Sequence, residues 1–144
     1  HTRLPIVLPQ RISEGFLDAL NRIKKKLVIV VHTNHPNELN DETHRAFNCL
    51  KKSGAFMLNQ SVLLKGINDN SGTLIDLSNK LFDQSVLPYY LHLPDKVANT
   101  THFFIDTKQA LAIHKEMQAN LSGYLLPNLV REIPGQPSKT IISG

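Results

Sequence analysis

Leu27-Val-Ile-Val-Val31 is an unbroken apolar run rich in β-branched residues, the pattern of a strand buried on both faces of a parallel sheet. On its N-terminal side, Ser13 stands where it can cap a helix whose apolar residues Phe16, Leu17, Leu20 and Ile23 recur at helical spacing. That predicted helix runs into Lys24-Lys25-Lys26, a placement that suits the negative end of a helix dipole. On the C-terminal side comes a polar loop, His32-Thr-Asn-His-Pro-Asn-Glu38, in which Pro36 bars a helix. Asn40 or Asp41 then opens a second helix through Ala46, Phe47 and Leu50, stopped by Ser53-Gly54.

The same alternation continues. Phe56 to Leu64 is a strand interrupted by polar residues, Gly66 to Gly72 a turn-rich loop, and Leu74 to Phe82 a third helix. Val86 to Leu93 is the next strand. Asp106-Thr-Lys-Gln109 starts a fourth helix in the manner of a capping box, and Leu125 to Ile133 is the last strand. Repeated βα units of this kind predict an α/β fold with a parallel sheet, either a small open sheet or part of a barrel. There are four strands, or five if the N-terminal segment joins them. The prolines of His1-Thr-Arg-Leu-Pro-Ile-Val-Leu-Pro9 point there to a strand end or loop and not a helix. The odd start without methionine leads us to expect a piece of a longer polypeptide.

At 144 residues the chain is the size of one domain, and 41% apolar with 19% charged residues is ordinary for a packed protein. A net charge of +4 is mildly basic, but no basic, aromatic-studded face is visible, so nucleic-acid binding is not expected. No apolar run approaches a membrane span and no signal peptide is visible. The lone Cys49 excludes an internal disulfide and any all-cysteine metal or iron–sulfur site within the chain. It suits a reducing, cytoplasmic setting.

Polar residues gather where the predicted strands end: His32, Gln60, His92, Asp95 and Glu132. That is the C-terminal rim, where α/β sheets and barrels place their chemistry. The last quarter of the chain holds two apolar blocks with one acid each. Leu87 to Asp95 ends on Asp95, and Ser122 to Lys139 contains Glu132 before breaking into a Pro/Gly turn that presents Lys139. A lysine on such a turn, near acids at strand ends, can offer an amine to an aldehyde cofactor; an ordinary surface lysine with two loop acids fits the same residues. His32, His35 and Glu38 form a possible metal set, although His-x-x-His on a loop lacks the one-face geometry of a helical motif. Gln60 is either a satisfied core amide or a ligand contact. Tyr89 and Tyr90 read as packing, Asp69 as turn chemistry and Cys49 as a small packing residue. No glycine-rich phosphate loop is present.

Several blocks together resemble the lysine 2,3-aminomutase family of radical S-adenosylmethionine enzymes. They are His1 to Val7, Val30 to Glu38, Leu58 to Asp69, Pro88 to Asp95, His102-Phe103 and Ser122 to Lys139. The resemblance spans nearly the whole chain. Its ending, Arg131 to Thr140, is most similar to the short bacterial branch that makes β-lysine for modifying elongation factor P.

The resemblance implies a partial (β/α) radical-SAM barrel of which this chain is the C-terminal part. Residues 1–121 would supply βα units and residues 122–144 the last strand and the cofactor-lysine turn of the same domain. It implies pyridoxal 5′-phosphate held covalently on Lys139, and Asp95 and Glu132 holding the side-chain ammonium of L-lysine. It also implies His32 and Gln60 contacting S-adenosylmethionine. In the implied reaction, a deoxyadenosyl radical removes a β-hydrogen from lysine and the amino nitrogen migrates from the α to the β carbon.

The family's Cys-x-x-x-Cys-x-x-Cys motif is absent, so the ligands of the implied [4Fe–4S] cluster lie outside this chain. The chain alone is therefore expected to be inactive and to self-associate through open sheet edges. Glu132 replaces the aspartate of the catabolic enzymes, and Asn70 stands where their first zinc cysteine would fall. Two other readings of the residues stand beside this one. One is a metal-assisted hydrolase using His32, His35 and Glu38; the other is a non-enzymatic binding module, docking elongation factor P for example.

Overall fold

The computed structural model describes residues 1–94 and 101–143. Helices α1 (Leu4–Val7) and α2 (Glu14–Asn21) precede strand β1 (Val28–His32), α3 (Asp41–Lys52), β2 (Phe56–Val62) and α4 (Ser71–Asp83). Strand β3 (Leu87–His92), α5 (Thr107–Asn120), β4 (Asn128–Arg131) and β5 (Thr140–Ile141) complete the chain. The strands lie in the order β1-β2-β3-β4-β5. The first four are parallel and β5 is antiparallel to β4.

Sequential parallel strands require each crossover to return on the same side of the sheet. Accordingly α3, α4 and α5 all cover one face. Ile29, Val31 and Met57 pack there with Phe47 and Leu50 of α3 and Leu77 and Leu81 of α4. Further along, Leu63, Leu91 and Leu129 pack with Leu74 of α4 and with Ala110, Ile113 and Met117 of α5. The alternate residues of each strand point to a face that carries no helix. This is a mostly parallel, singly wound sheet, as in a partial barrel.

Capping follows the sequence closely. Asn40 accepts hydrogen bonds from the backbone N–H groups of Glu42 and Thr43, at 3.0 Å each, while Thr43 returns a bond to the Asn40 backbone. Asn70 and Asp106 cap α4 and α5 through Thr73 N and Gln109 N, and Ser13 caps α2 through Phe16 N.

Four expectations need correction. Leu4–Val7 is a short helix, because Pro5 falls in its first turn, where a missing N–H costs nothing. The helix starting at Ser13 ends at Asn21, so the lysine triplet lies between it and β1. Strand β1 is buried on both faces through its centre, at Ile29, Val30 and Val31, but not at its start, where Val28 is 51% exposed on the helix-free side. Finally, the stretch predicted as one strand from Leu125 to Ile133 has a 3₁₀ turn over Gly123–Leu125 and only four strand residues. The N-terminal segment does join the sheet, through a single parallel bridge in which Thr2 N donates to Val30 O and His32 N donates to Thr2 O.

Candidate functional site on the helix-free face

Parallel strands that start together also end together, so their C-terminal residues share one rim. His32 is the register neighbour of Gln60, and Gln60 of Tyr90. The three side chains therefore stand in a row across β1, β2 and β3 on the helix-free face. His92, two residues beyond Tyr90, occupies the same face opposite Val62 and Val130. Its ring meets Tyr90 edge-on, with centroids 5.9 Å apart.

Strand β3 reaches this arrangement through a bulge. Asn59 pairs with Pro88 but Gln60 pairs with Tyr90, leaving Tyr89 as the extra residue. The consecutive rings of Tyr89 and Tyr90 consequently lie together, 3.8 Å between centroids, and Tyr89 Oη donates to Tyr90 Oη at 2.8 Å.

After β4 the chain turns back. Gln136 N donates to Ile133 O at 3.0 Å, and Gly135 has φ +83°, a conformation open to glycine after Pro134. The turn brings Lys139 over the rim. Its Nζ lies 3.1 Å from Glu132 Oε1 and 5.5 Å from the centre of the Tyr90 ring. A cleft of about 430 Å³ is lined by residues Glu132 to Lys139. A larger cleft of about 520 Å³ lies on the other side, between α5 and β5. Its histidine, His114, is already engaged with the Pro127 carbonyl at 2.8 Å.

The electrostatics of this cluster are shared. The hydrogen bond from Lys139, then its charge, holds the Glu132 carboxyl below the usual glutamate range. Burial pushes the His92 pKa down and the Lys139 charge pushes it further, against the opposing pull of Glu132. His32 is also lowered, by burial first and then by the amino terminus, Arg3 and Lys139. Both imidazoles are thus biased to the neutral form near pH 7. Among the described residues, two buried polar atoms on this face, Gln60 Oε1 and His92 Nε2, have no hydrogen-bond partner. Most buried polar atoms elsewhere in folded proteins are paired.

Behind the rim, asparagines tie the β1 and β2 ends together. Buried Asn68 accepts from Leu64 N at 2.7 Å and donates to Asn34 O and Val62 O at 2.7 and 2.9 Å. Asn59 accepts from Thr33 N and donates to Ser61 Oγ, and Ser61 donates to Thr33 O.

The structure thus brings together His32, Gln60, Glu132 and Lys139 from the sequence expectations; Asp95 lies outside the described residues. It does not assemble the metal set. Glu38 Oε1 accepts from the backbone of Asn34 and His35, Glu38 Oε2 pairs with Arg3 at 2.6 Å, and His35 Nδ1 accepts from Asn37 N. Both side chains are spent on capping a turn, and His32 faces His1 at 3.2 Å. Among the described residues no three His, Cys, Asp or Glu side chains group as a metal site. Asn70, in the place of a zinc cysteine, is the cap of α4. Sequence reasoning gave no role to Asn59 or Asn68, although both are fully polar residues within or beside apolar runs.

No protein-family model matches the chain. Individual relatives do. It is 52% identical, over 99% of its length, to an L-lysine 2,3-aminomutase of Buchnera aphidicola, of which it covers 42%. The L-lysine 2,3-aminomutase of Escherichia coli is 47% identical over 97% of this chain and 41% of the relative. That of Clostridium subterminale is 37% identical over 96% and 33%. Over nearly its whole length, then, the chain is similar to proteins named L-lysine 2,3-aminomutase. It spans about 42% of the length of the first of these relatives. Among solved structures, a radical SAM methyltransferase from Sphaerobacter thermophilus superposes with TM-score 0.56. That match has 16% identity and covers 81% of this chain and 37% of the other, a likeness of fold alone. The shared feature is a mixed α/β fold built on a mostly parallel sheet.

Proposed function

We propose that this chain forms the cofactor-lysine side of an L-lysine 2,3-aminomutase, an isomerase that converts L-α-lysine to β-lysine. The observation that carries the reading is the position of the Lys139 amine, beside Glu132 and above Tyr90 at the C-terminal rim. Its similarity to proteins named L-lysine 2,3-aminomutase supports it.

The residues fit pyridoxal 5′-phosphate. Lys139 is a partly sheltered primary amine, its side chain 25% exposed, with an aromatic ring beneath it and buried unpartnered polar atoms nearby. In this reading Lys139 holds the cofactor and fixes its orientation. Glu132, with Asp95, receives the side-chain ammonium of substrate lysine through charge-assisted hydrogen bonds. His32 and Gln60 contact S-adenosylmethionine, Gln60 through its free carbonyl oxygen. When bound, the pyridoxal ring supplies an electron sink and S-adenosylmethionine a source of radicals; the protein supplies position and electrostatics.

A [4Fe–4S] cluster does not fit here. The single Cys49 sits half-buried on α3, so cluster ligands would come from other sequence and the isolated chain would be inactive. The Arg131–Thr140 ending favours β-lysine destined for elongation factor P, in the cytoplasm.

The test is borohydride trapping of pyridoxal 5′-phosphate on the purified protein, with peptide mapping and Lys139→Ala as control. Label confined to Lys139 and lost in the variant is the expected result. Label elsewhere, or none, overturns the assignment. In the anaerobically purified native gene product, iron and sulfide near four per chain together with β-lysine formation are expected; their absence would leave a binding module as the better description.

A further inference from the structure

Of the two polar atoms on the helix-free face that are unpartnered among the described residues, Gln60 Oε1 already has a proposed role, whereas His92 Nε2 has none. His92 is only 9% exposed, and a buried nitrogen without a partner destabilises the fold unless something outside the chain satisfies it. Its place is specific. Tyr90 carries His92 against its edge at 5.9 Å and Lys139 Nζ over its face at 5.5 Å. Both side chains thus lie against one ring.

We propose that His92 is a further ligand-contacting residue, its Nε2 hydrogen-bonding the aldehyde-derived group that Lys139 holds on the helix-free face. The proposal rests on the assignment of Lys139 made above. The chemistry it fits is a pyridoxal-type group, whose ring hydroxyl and phosphate lie within a few bonds of the aldehyde carbon. The groups acting on the imidazole are Lys139 and Glu132 from the segment after β4 and His32 from β1, with Tyr90 of its own strand against its edge. Burial and the Lys139 charge disfavour a second cation, so the ring meets its ligand as a neutral hydrogen-bonding group.

The experiment compares the unaltered protein with His92→Leu and His92→Gln, using pyridoxal 5′-phosphate as the probe. Affinity and the absorbance maximum of the bound form are read by titration, and the site of attachment by borohydride trapping. His92→Leu is expected to bind roughly tenfold more weakly with a shifted maximum, and His92→Gln, which keeps a hydrogen-bonding side chain, to recover to within about threefold. Near-ultraviolet circular dichroism checks folding; should His92→Leu fail to fold, His92→Gln and His92→Ala take its place. Lys139 labelled in every protein with unchanged affinity and spectrum overturns the role of His92 alone. No label on Lys139 in the unaltered protein overturns the Lys139 assignment, and this proposal with it.

Discussion

Lys139 Nζ and Glu132 Oε1 lie 3.1 Å apart across a Pro/Gly turn, the lysine side chain 25% and the glutamate 69% exposed. The pair holds the amine over Tyr90, and its trace is in the titration of the acid. Because the hydrogen bond from Lys139 depresses the Glu132 pKa, Lys139→Ala should return the Glu132 side-chain titration, followed by carbon-detected NMR, to the ordinary glutamate range. An unchanged midpoint would show that the pair does not persist in solution. Solvent screening at so exposed an acid predicts little effect on the unfolding midpoint.

Asn68 is a different case, since the residue is buried and its three side-chain hydrogen bonds, all part-buried, are made to backbone. Asn68→Ala strands the Leu64 N–H and two carbonyls, and should cost roughly 2–4 kcal/mol of stability in urea unfolding. A loss below about 0.5 kcal/mol, the range of ordinary surface substitutions, would mean that water replaces the amide freely.

His32 and His92 make stability depend on pH. Both titrate below 6.5 in the folded chain, so the unfolded chain takes up protons first as pH falls. Stability should be complete above about pH 6.5 and decline from there toward the lowered folded values. Urea midpoints measured at pH 7.5 and pH 5.5 should differ, and His92→Gln should reduce the difference. Equal midpoints in the unaltered protein would count against buried neutral imidazoles.

Among the described residues the outer edge of β1 is met only by the bridge at Thr2, and on the helix-free face Val28 and Phe56 are 51% and 58% exposed. An open edge beside exposed apolar side chains invites pairing. Light scattering of the isolated chain should show concentration-dependent association, reduced by Phe56→Glu. A monomer at high concentration would argue that the edge is adequately protected as it stands.

Much of this arrangement is legible in the sequence because it depends on local rules. Ser13, Asn40 and Asp106 announce helix starts, and the apolar run at Leu27–Val31 announces a parallel strand. Pro134-Gly135 announces the turn that delivers Lys139. What sequence could not supply was the third dimension of the polar residues. His35 and Glu38 have the composition of a metal site, yet Glu38 is committed to nearby backbone N–H groups and to Arg3. Asn59 and Asn68 look like strand interruptions or turn formers, and only the packed ends of β1 and β2 reveal them as ties. A proline pair likewise suggested extended chain at the N-terminus, where position within the first helical turn decides otherwise.

The extra residue at Tyr89 acts as a phase shift in β3. Before it, Leu87 pairs with Leu58; after it, Tyr90 pairs with Gln60, so odd-numbered residues change sides. Leu91 then enters the core beneath α4 and α5, and His92 is delivered to the opposite surface. Lacking that single insertion, the strand's hydrophobic lettering would be out of step with its own helices. One unpaired residue thereby lets the same six-residue strand serve the core with one side chain and chemistry with the next.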